Sequence, residues 1–197
     1  TEVDVAVNPI PDAPTLTVDA ENISTQEDTA VALGLNAPVI VDATDQNGAT
    51  AGDDPERLGE ITLSGLPEGA VLTYAANTYT VTASGSVTIQ LSDLASGNHL
   101  SGLTTDLTMS TSDFESMTVT PPAHSHENFT VEMSVTSYEV DGSGNQLSGV
   151  AGATSTTEVE VRVQAVTDDA ALVFNEEAAG NITNVDDVTY SGTGGNT

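Results

Sequence analysis

The sequence predicts an all-β fold in the form of an antiparallel β-sandwich, and three observations support this prediction. Apolar and polar residues alternate along residues 129–136 and 158–163, which is the pattern of strands with one buried face. No segment shows a competing helical period. Turn-forming residues separate the alternating runs, as at Asn47-Gly48 and Ser84-Gly85. Together these features are typical of sandwiches built from short strands.

The predicted strands follow one another along the chain with turn signals between them. In residues 129–136, the Phe, Val and Met side chains form the apolar face, and the Thr, Glu and Ser side chains between them face water. Weaker alternations predict further strands at residues 60–63, 71–74, 78–82 and 87–91. The chain has only four Tyr and three Phe, so we expect an aliphatic core of modest depth.

A repeat organises the chain. The segment TEVDVAV at residues 1–7 returns as TEVEVRV at residues 157–163, which gives a period of about 156 residues. Three prolines within residues 9–14 stiffen the first linker, because each fixes its own φ angle. We therefore predict three parts: the terminal strand and linker of a preceding repeat at residues 1–12, a complete β-sandwich repeat at residues 13–168, and the start of the next repeat at residues 169–197.

The charge of the chain excludes several partners. It has 30 Asp and Glu residues but only two basic residues, Arg57 and Arg162, and its formal net charge is −28. Such a chain has no basic surface for nucleic acid or for an anionic membrane. Its natural partner is a cation, because bound ions relieve the repulsion among carboxylates and so stabilise the compact state. Hard divalent ions such as Ca2+ suit these oxygen ligands.

The residue types that are missing also limit the chemistry. Without cysteine, the chain has no disulfide, no thiolate zinc site and no thiol catalysis. Without lysine, it has no intramolecular crosslink between Lys and Asn. No run of about 18 or more apolar residues occurs, so we expect no membrane insertion. Carboxylate-bound metal is the remaining means of stapling such a fold.

The first group of candidate Ca2+ ligands lies in one Gly-containing loop between two strand signals. It consists of six oxygen-bearing side chains: Asp42, Asp45, Asn47, Asp53, Asp54 and Glu56. Ca2+ takes about six to eight oxygen ligands in flexible geometry, and this loop has enough of them. The alternative is a solvated acidic loop, since spacing alone does not distinguish the two interpretations.

The second group lies near the boundary between repeats. It consists of Asp12, Glu27 and Asp28, and the repeat places Asp168 and Asp169 at the next boundary. We predict an interdomain ion here, shared by the linker and the loops beside it, which fixes the orientation of one domain on the next. The alternative is that these acidic residues cap turns, for which Asp is well suited.

The third group consists of Glu139, Asp141 and Asn145. It resembles part of a calcium loop, but Gln146 stands where an EF-hand needs Gly and Gly152 stands where it needs Glu. We therefore predict Glu139 and Asp141 as ligands of a different kind of site.

No catalytic constellation stands out, and we predict that the protein is not an enzyme. No serine lies in a G-x-S-x-G motif. His124 and His126 would form a transition-metal pair if they lay on one face of a strand. The simpler interpretation is that both are exposed polar residues in the loop before Phe129. No pair of carboxylates is singled out for glycoside hydrolysis.

Four phrases of the sequence resemble a known family. They are ITLSGLPEGA at residues 61–70, TPPAHS at residues 120–125 with FTV at residues 129–131, YEVDG at residues 138–142, and the linker VNPIPDAP at residues 7–14. In these phrases the chain is similar to the long tandem repeats of type I secreted RTX adhesins. The resemblance implies an immunoglobulin-like or cadherin-like sandwich, export to the extracellular bacterial cell surface, and Ca2+ that rigidifies the repeats.

The resemblance also implies a mechanical function. We expect a spacer repeat of a large cell-surface adhesin that supports cell adhesion or biofilm formation, contacts the neighbouring repeats and is a monomer in isolation. One alternative is a Ca2+-dependent module that binds glycan or peptide, for which the available aromatic platforms are Tyr74, Tyr79 and Tyr138. Another is a filament subunit that exchanges the strand-like residues 3–7. Residues 98–116 are predicted to form an inserted loop.

Overall fold

The chain divides into two compact units, Thr1–Ala165 and Val166–Thr197. The computed structural model describes residue 3 and residues 9–40, 55–94 and 99–167. All of the elements given below belong to the first unit, and strands dominate it, so the predicted all-β class is confirmed. Within the part of the chain that the structure describes, no helix has the length and apolar character needed to span a membrane.

The larger sheet has six strands. In spatial order they are β1 (Asn22–Gln26), β10 (Ala153–Gln164), β9 (Phe129–Glu139), β3 (Glu56–Ser64), β6 (Val87–Leu91) and β7 (Leu107–Met109). The central pairs are antiparallel, whereas β1 runs parallel to β10 and β7 runs parallel to β6. The register of β3 on β9 shifts between Leu58 and Ile61, which marks a bulge.

The smaller sheet has four antiparallel strands. In spatial order they are β2 (Val31–Ala32), β8 (Thr118–Thr120), β4 (Val71–Tyr74) and β5 (Asn77–Thr80). A two-residue turn joins β4 to β5, and its first residue, Ala75, has a φ of 48°, which is the left-handed conformation that such hairpins favour. Single bridges from Thr15 to Val39 and from Val18 to Leu35 tie the chain before β1 to the chain after β2.

The two sheets share one hydrophobic core. In β9 the inward residues Val131 and Val135 are almost completely buried, while the residues between them are partly exposed. Leu72 of β4 and Val119 of β8 are fully buried in the same cluster. Phe114 is the one aromatic side chain among its fully buried members in the described residues. Burial of each aliphatic side chain contributes about 1.5 to 3 kcal/mol to stability.

Residues 99–116 are more than a connecting loop. They contain β7 and the five-residue helix α1 (Thr111–Glu115). The Asp106 carboxylate accepts hydrogen bonds from the backbone N–H and the hydroxyl of Thr88, at 2.8 and 2.9 Å, and so fastens the start of β7 to β6. The Ser110 hydroxyl caps α1, and Phe114 of the helix enters the core. The predicted inserted loop is thus largely an ordered part of the larger sheet and of the core.

Candidate cation site

Two glutamates face each other at one end of the first unit. Glu56 begins β3 and Glu139 ends β9, and the two residues are direct partners in the antiparallel ladder. Both continue the inward alternation of their strands, Glu56 on the side of Leu58 and Glu139 on the side of Ser137. Glu56 is 0% exposed and Glu139 is 5% exposed. Two carboxylates therefore lie at the margin of the core, side by side.

The linker residue Asp12 is seated on this end of the unit. Its backbone N–H donates to Oε1 of Glu56, and its backbone carbonyl accepts from the hydroxyl of Ser137. Ser137 is itself buried and precedes Glu139 by two residues on the same face of β9. The Asp12 residue is exposed. We call Asp12, Glu56, Ser137 and Glu139 the linker end of the unit.

Two carboxylates in this position make this end of the unit strongly negative and attractive to a cation. Burial raises the free energy of a carboxylate ion, and a like charge directly opposite adds repulsion. Arg57 lies beside the pair, and its Nη1 donates to the backbone carbonyl of Glu56 at 2.7 Å. A divalent cation would neutralise both glutamates at once and would use their oxygens as ligands.

The donors of the linker end fit Ca2+ better than a transition metal. They are carboxylate, hydroxyl and carbonyl oxygens, which are the hard ligands that Ca2+ prefers. Among residues 9–40, 55–94 and 99–167, no three His, Asp or Glu side chains are grouped in the arrangement of a metal site. The linker end therefore supplies two buried carboxylates, and a calcium shell of about six to eight oxygens needs further ligands.

Of the first predicted group, Glu56 alone lies in the described part of the chain. The other members lie outside the described residues, as do the predicted ligands at the next boundary: Asp42, Asp45, Asn47, Asp53, Asp54, Asp168 and Asp169. Their role as Ca2+ ligands stays a prediction. Because Glu56 is both the last residue of the first group and the first residue of β3, the chain leads from that group directly into the linker end.

The structure separates Asp12 from Glu27 and Asp28. The backbone N–H of Glu27 donates to the carbonyl of Gln164 at 3.0 Å, at the end of β10, whereas Asp12 lies beside the start of β10. β10 has 12 residues, so the two positions are about 36 Å apart at about 3.3 Å per residue. Asp12 therefore does not form one group with Glu27 and Asp28, because β1 runs parallel to β10 and carries them to the opposite end.

Asp28 binds a histidine-containing loop at that opposite end. Its Oδ1 accepts from the backbone N–H of His124 at 3.0 Å, and its Oδ2 lies 3.5 Å from Nδ1 of the same residue. Both residues have a φ of 58°, in the left-handed region. His124 and His126 lie in the loop before β9 and not on a strand. Both side chains are exposed, so the loop interpretation is confirmed and the alternative, a pair of imidazoles on one strand face, is wrong.

Asp141 belongs to a turn of its own. Its Oδ1 accepts from the backbone N–H of Ser143 at 2.8 Å and from that of Asn145 at 3.0 Å. These bonds, that of Asn145 foremost, hold the pKa of the Asp141 carboxyl below its usual value. The third predicted group therefore divides: Glu139 faces the core at the linker end, while Asp141 and Asn145 form a separate Asx turn.

Sequence reasoning missed the pairing of Glu56 with Glu139 and the contact of Ser137 with the linker. A signal for Glu139 is present, because the alternation that starts at Val131 continues without interruption to this residue. The register that sets Glu56 opposite Glu139 has no comparable signal, since it depends on which strand packs beside β9 and on the bulge in β3.

Comparisons with known proteins do not suggest a function for this chain. The sequence matches no protein-family model, and no curated protein matches it. The functional conclusion therefore rests on the linker end, on the charge of the chain and on the two-sheet architecture.

Proposed function

We propose that the chain is a Ca2+-rigidified spacer repeat of a large, secreted bacterial adhesin of the RTX type. The observation that supports this proposal is the buried pair of Glu56 and Glu139, on which the linker residue Asp12 is seated. In this proposal the unit is not an enzyme, lies outside the cell and supports adhesion or biofilm formation. Its partners are Ca2+ and the neighbouring repeats of the same polypeptide.

An immunoglobulin-like or cadherin-like sandwich is the finer fold that we propose for the unit. Two sheets share one core, and the early strand β1 runs parallel to the last strand β10. The linker reaches the unit beside the start of β10, and the chain leaves at the end of the same strand. Entry and exit at opposite ends suit a repeat that adds length to a rod.

Ca2+ has two effects in this proposal. It neutralises two buried carboxylates whose repulsion opposes folding. It also fixes the linker to the unit, because the backbone of Asp12 already contacts Glu56 and Ser137. Removal of the ion strengthens the repulsion between the two buried carboxylates and loosens the linker.

A thermal melt of the full chain tests the proposal. Circular dichroism follows unfolding with Ca2+, with Mg2+ and with excess chelator. A Ca2+ concentration of about one hundred times Kd stabilises the folded state by about 2.7 kcal/mol. In a chain of this size each kcal/mol raises Tm by about 2 to 4 °C, so we expect a rise of about 5 to 11 °C. Mg2+ should act more weakly, because it demands stricter octahedral geometry. Identical melts in all three conditions would rule out the Ca2+ site.

A pair of double variants locates the ion. Glu56→Gln with Glu139→Gln keeps the side-chain shapes but removes both charges, so the Ca2+-dependent rise in Tm should disappear. The matched control, Glu68→Gln with Glu127→Gln, removes two exposed carboxylates elsewhere and should keep the full rise. If the Glu56 and Glu139 double variant also keeps the full rise, the ion binds somewhere other than the linker end.

A further inference from the structure

Tyr138 lies on the outer face of the larger sheet, next to two glycines. Its neighbours along β9, Ser137 and Glu139, face inward, so Tyr138 faces outward, where it is partly exposed. A Cβ atom added at Gly59 of β3 would lie 3.0 Å from Cε2 of the tyrosine, and one added at Gly152 would lie 2.7 Å from Cε1. The ring thus occupies the space that the two glycines leave open.

These distances determine the orientation of the ring. Cε1 and Cε2 lie on opposite edges of the ring, and each approaches the chain on one side of β9. Neighbouring strands in a sheet lie about 4.8 Å apart. A ring that stood upright on the sheet would carry both atoms well above the Cβ atoms of the neighbouring strands. The ring of Tyr138 therefore lies flat across Gly59 and Gly152, with one face against the backbone and the other outward.

Polar groups border the ring on the same face. Oγ1 of Thr136 lies 2.7 Å from Oγ1 of Thr154, and in the next row Ser134 is the ladder partner of Thr156. On the other side, Arg57 is the ladder partner of the tyrosine. This strip of hydroxyl groups leads towards a cleft of about 500 Å³. The cleft is lined by hydroxyl, amide and carboxylate side chains: Thr130, Thr156, Thr157, Asn22, Glu21, Glu158 and Glu160.

We propose that this surface, formed by Tyr138, Arg57, Thr136, Thr154 and the adjoining cleft, binds a neutral oligosaccharide. A pyranose has an apolar C–H face that stacks on the negative face of an aromatic ring, and a rim of hydroxyls that exchange hydrogen bonds with threonine and arginine. A ring already held flat loses little side-chain freedom on binding. The inference is independent of the proposed spacer function and needs no Ca2+.

The length and charge of the surface define the kind of saccharide. From Tyr138 to the row of Ser134, four residues along β9 span about 13 Å, which accommodates two or three sugar units. Glu132 and Glu158 are ladder partners on the same face, and the net charge of −28 repels anions. The surface therefore selects against sialylated and sulfated glycans and favours neutral ones.

Saturation-transfer NMR on the full chain tests the proposal, with neutral tetrasaccharides of glucose, mannose and galactose and their methyl glycosides as probes. We expect transfer to the C–H protons of at least one tetrasaccharide, weaker binding of its methyl glycoside, and shifts of the Tyr138 ring protons. Tyr138→Leu keeps an apolar cover over the glycines but should weaken binding about tenfold or more, whereas Tyr138→Phe should bind as wild type does.

Glycine variants provide an independent readout. Gly59→Ala, whose added Cβ meets Cε2 of Tyr138 at 3.0 Å as its nearest neighbour, displaces the ring and should weaken binding. Gly142→Ala, whose added Cβ meets nothing within 4 Å, is the matched control. No saturation transfer to any neutral probe would overturn the proposal. Unchanged binding in a folded Tyr138→Leu variant would also overturn it, as would chemical shift changes confined to Tyr74 and Tyr79. Binding of a proline-rich peptide without binding of any saccharide would overturn it as well.

Discussion

At the residue scale, His99 is a partly buried base beside the bulge of β3. Both ring nitrogens are inaccessible to water, and neither has hydrogen-bond geometry with a residue in the described part of the chain. Burial lowers the pKa of His99, and the nearby backbone of Gly59 and Leu58 offsets only part of this effect. The folded unit therefore accommodates the neutral imidazole.

Acidification should destabilise the unit through His99. The pKa of His99 is lower in the folded state, so the unfolded chain binds the proton more readily. The contribution of His99 to stability is therefore complete above the unfolded pKa of about 6.5 and decreases as the pH falls below that value. Urea unfolding at about pH 7.5 and about pH 5.5 should show a larger loss of stability for wild type than for His99→Gln. Equal losses would show that His99 is not responsible.

At the scale of the element, three glycines lie in the connections next to strands β3, β4 and β9. Gly65 follows β3 with a φ of 77°, and a Cβ atom there would lie 2.1 Å from the carbonyl oxygen of Thr130. Gly69 has a φ of 86°, but its Cβ atom would meet nothing closer than 3.8 Å. Gly142 has neither constraint. Substitutions at the three positions therefore distinguish the free-energy cost of a left-handed backbone conformation from the cost of a steric contact with the new Cβ atom.

Alanine substitutions at these glycines should form a graded series. Gly142→Ala should be close to neutral, and Gly69→Ala should cost about 1 to 2 kcal/mol for the left-handed conformation. Gly65→Ala should cost more than Gly69→Ala, because the backbone of β9 must move away from the new methyl group. Chemical denaturation measures the three free energies of unfolding. Equal losses at Gly65 and Gly69 would mean that the strands adjust without cost.

The strands were largely predictable from the sequence, whereas their partners were not. β4, β6, β9 and β10 each bury one face, and this burial produces the period of two that identifies them. β7 and α1 are too short, at three and five residues, to establish any period. Glu56 and Glu139 were each predicted as ligands, but in different groups, because local pattern does not specify which strands are neighbours.

At the scale of the whole molecule, the net charge of −28 acts differently on exposed and buried groups. Exposed carboxylates repel one another through water, and dissolved salt screens this repulsion. The pair of Glu56 and Glu139 is buried, so salt screens its repulsion much less. General screening and specific coordination can therefore be measured separately.

Sodium chloride should stabilise the chain without replacing Ca2+. In chelator, an increase from about 0.02 M to about 0.5 M NaCl brings the Debye length below about 10 Å and should raise Tm by a few degrees. The same increase should appear in the Glu56→Gln, Glu139→Gln double variant, because it arises from exposed groups. If NaCl alone matches the Ca2+-dependent rise in wild type, that rise comes from screening.

The parallel pairing of β1 with β10 has a consequence for the response of the unit to force. The two strands are joined over five pairs, from Asn22 and Glu160 to Gln26 and Gln164. When the two chain ends are pulled apart, β1 is drawn towards its own first residue and β10 towards its last. We expect the hydrogen bonds between them to be strained in shear and together, instead of being opened one after another. Tension between the two chain ends would then meet its greatest resistance at this pair of strands, and rupture there would precede extension of the rest of the unit.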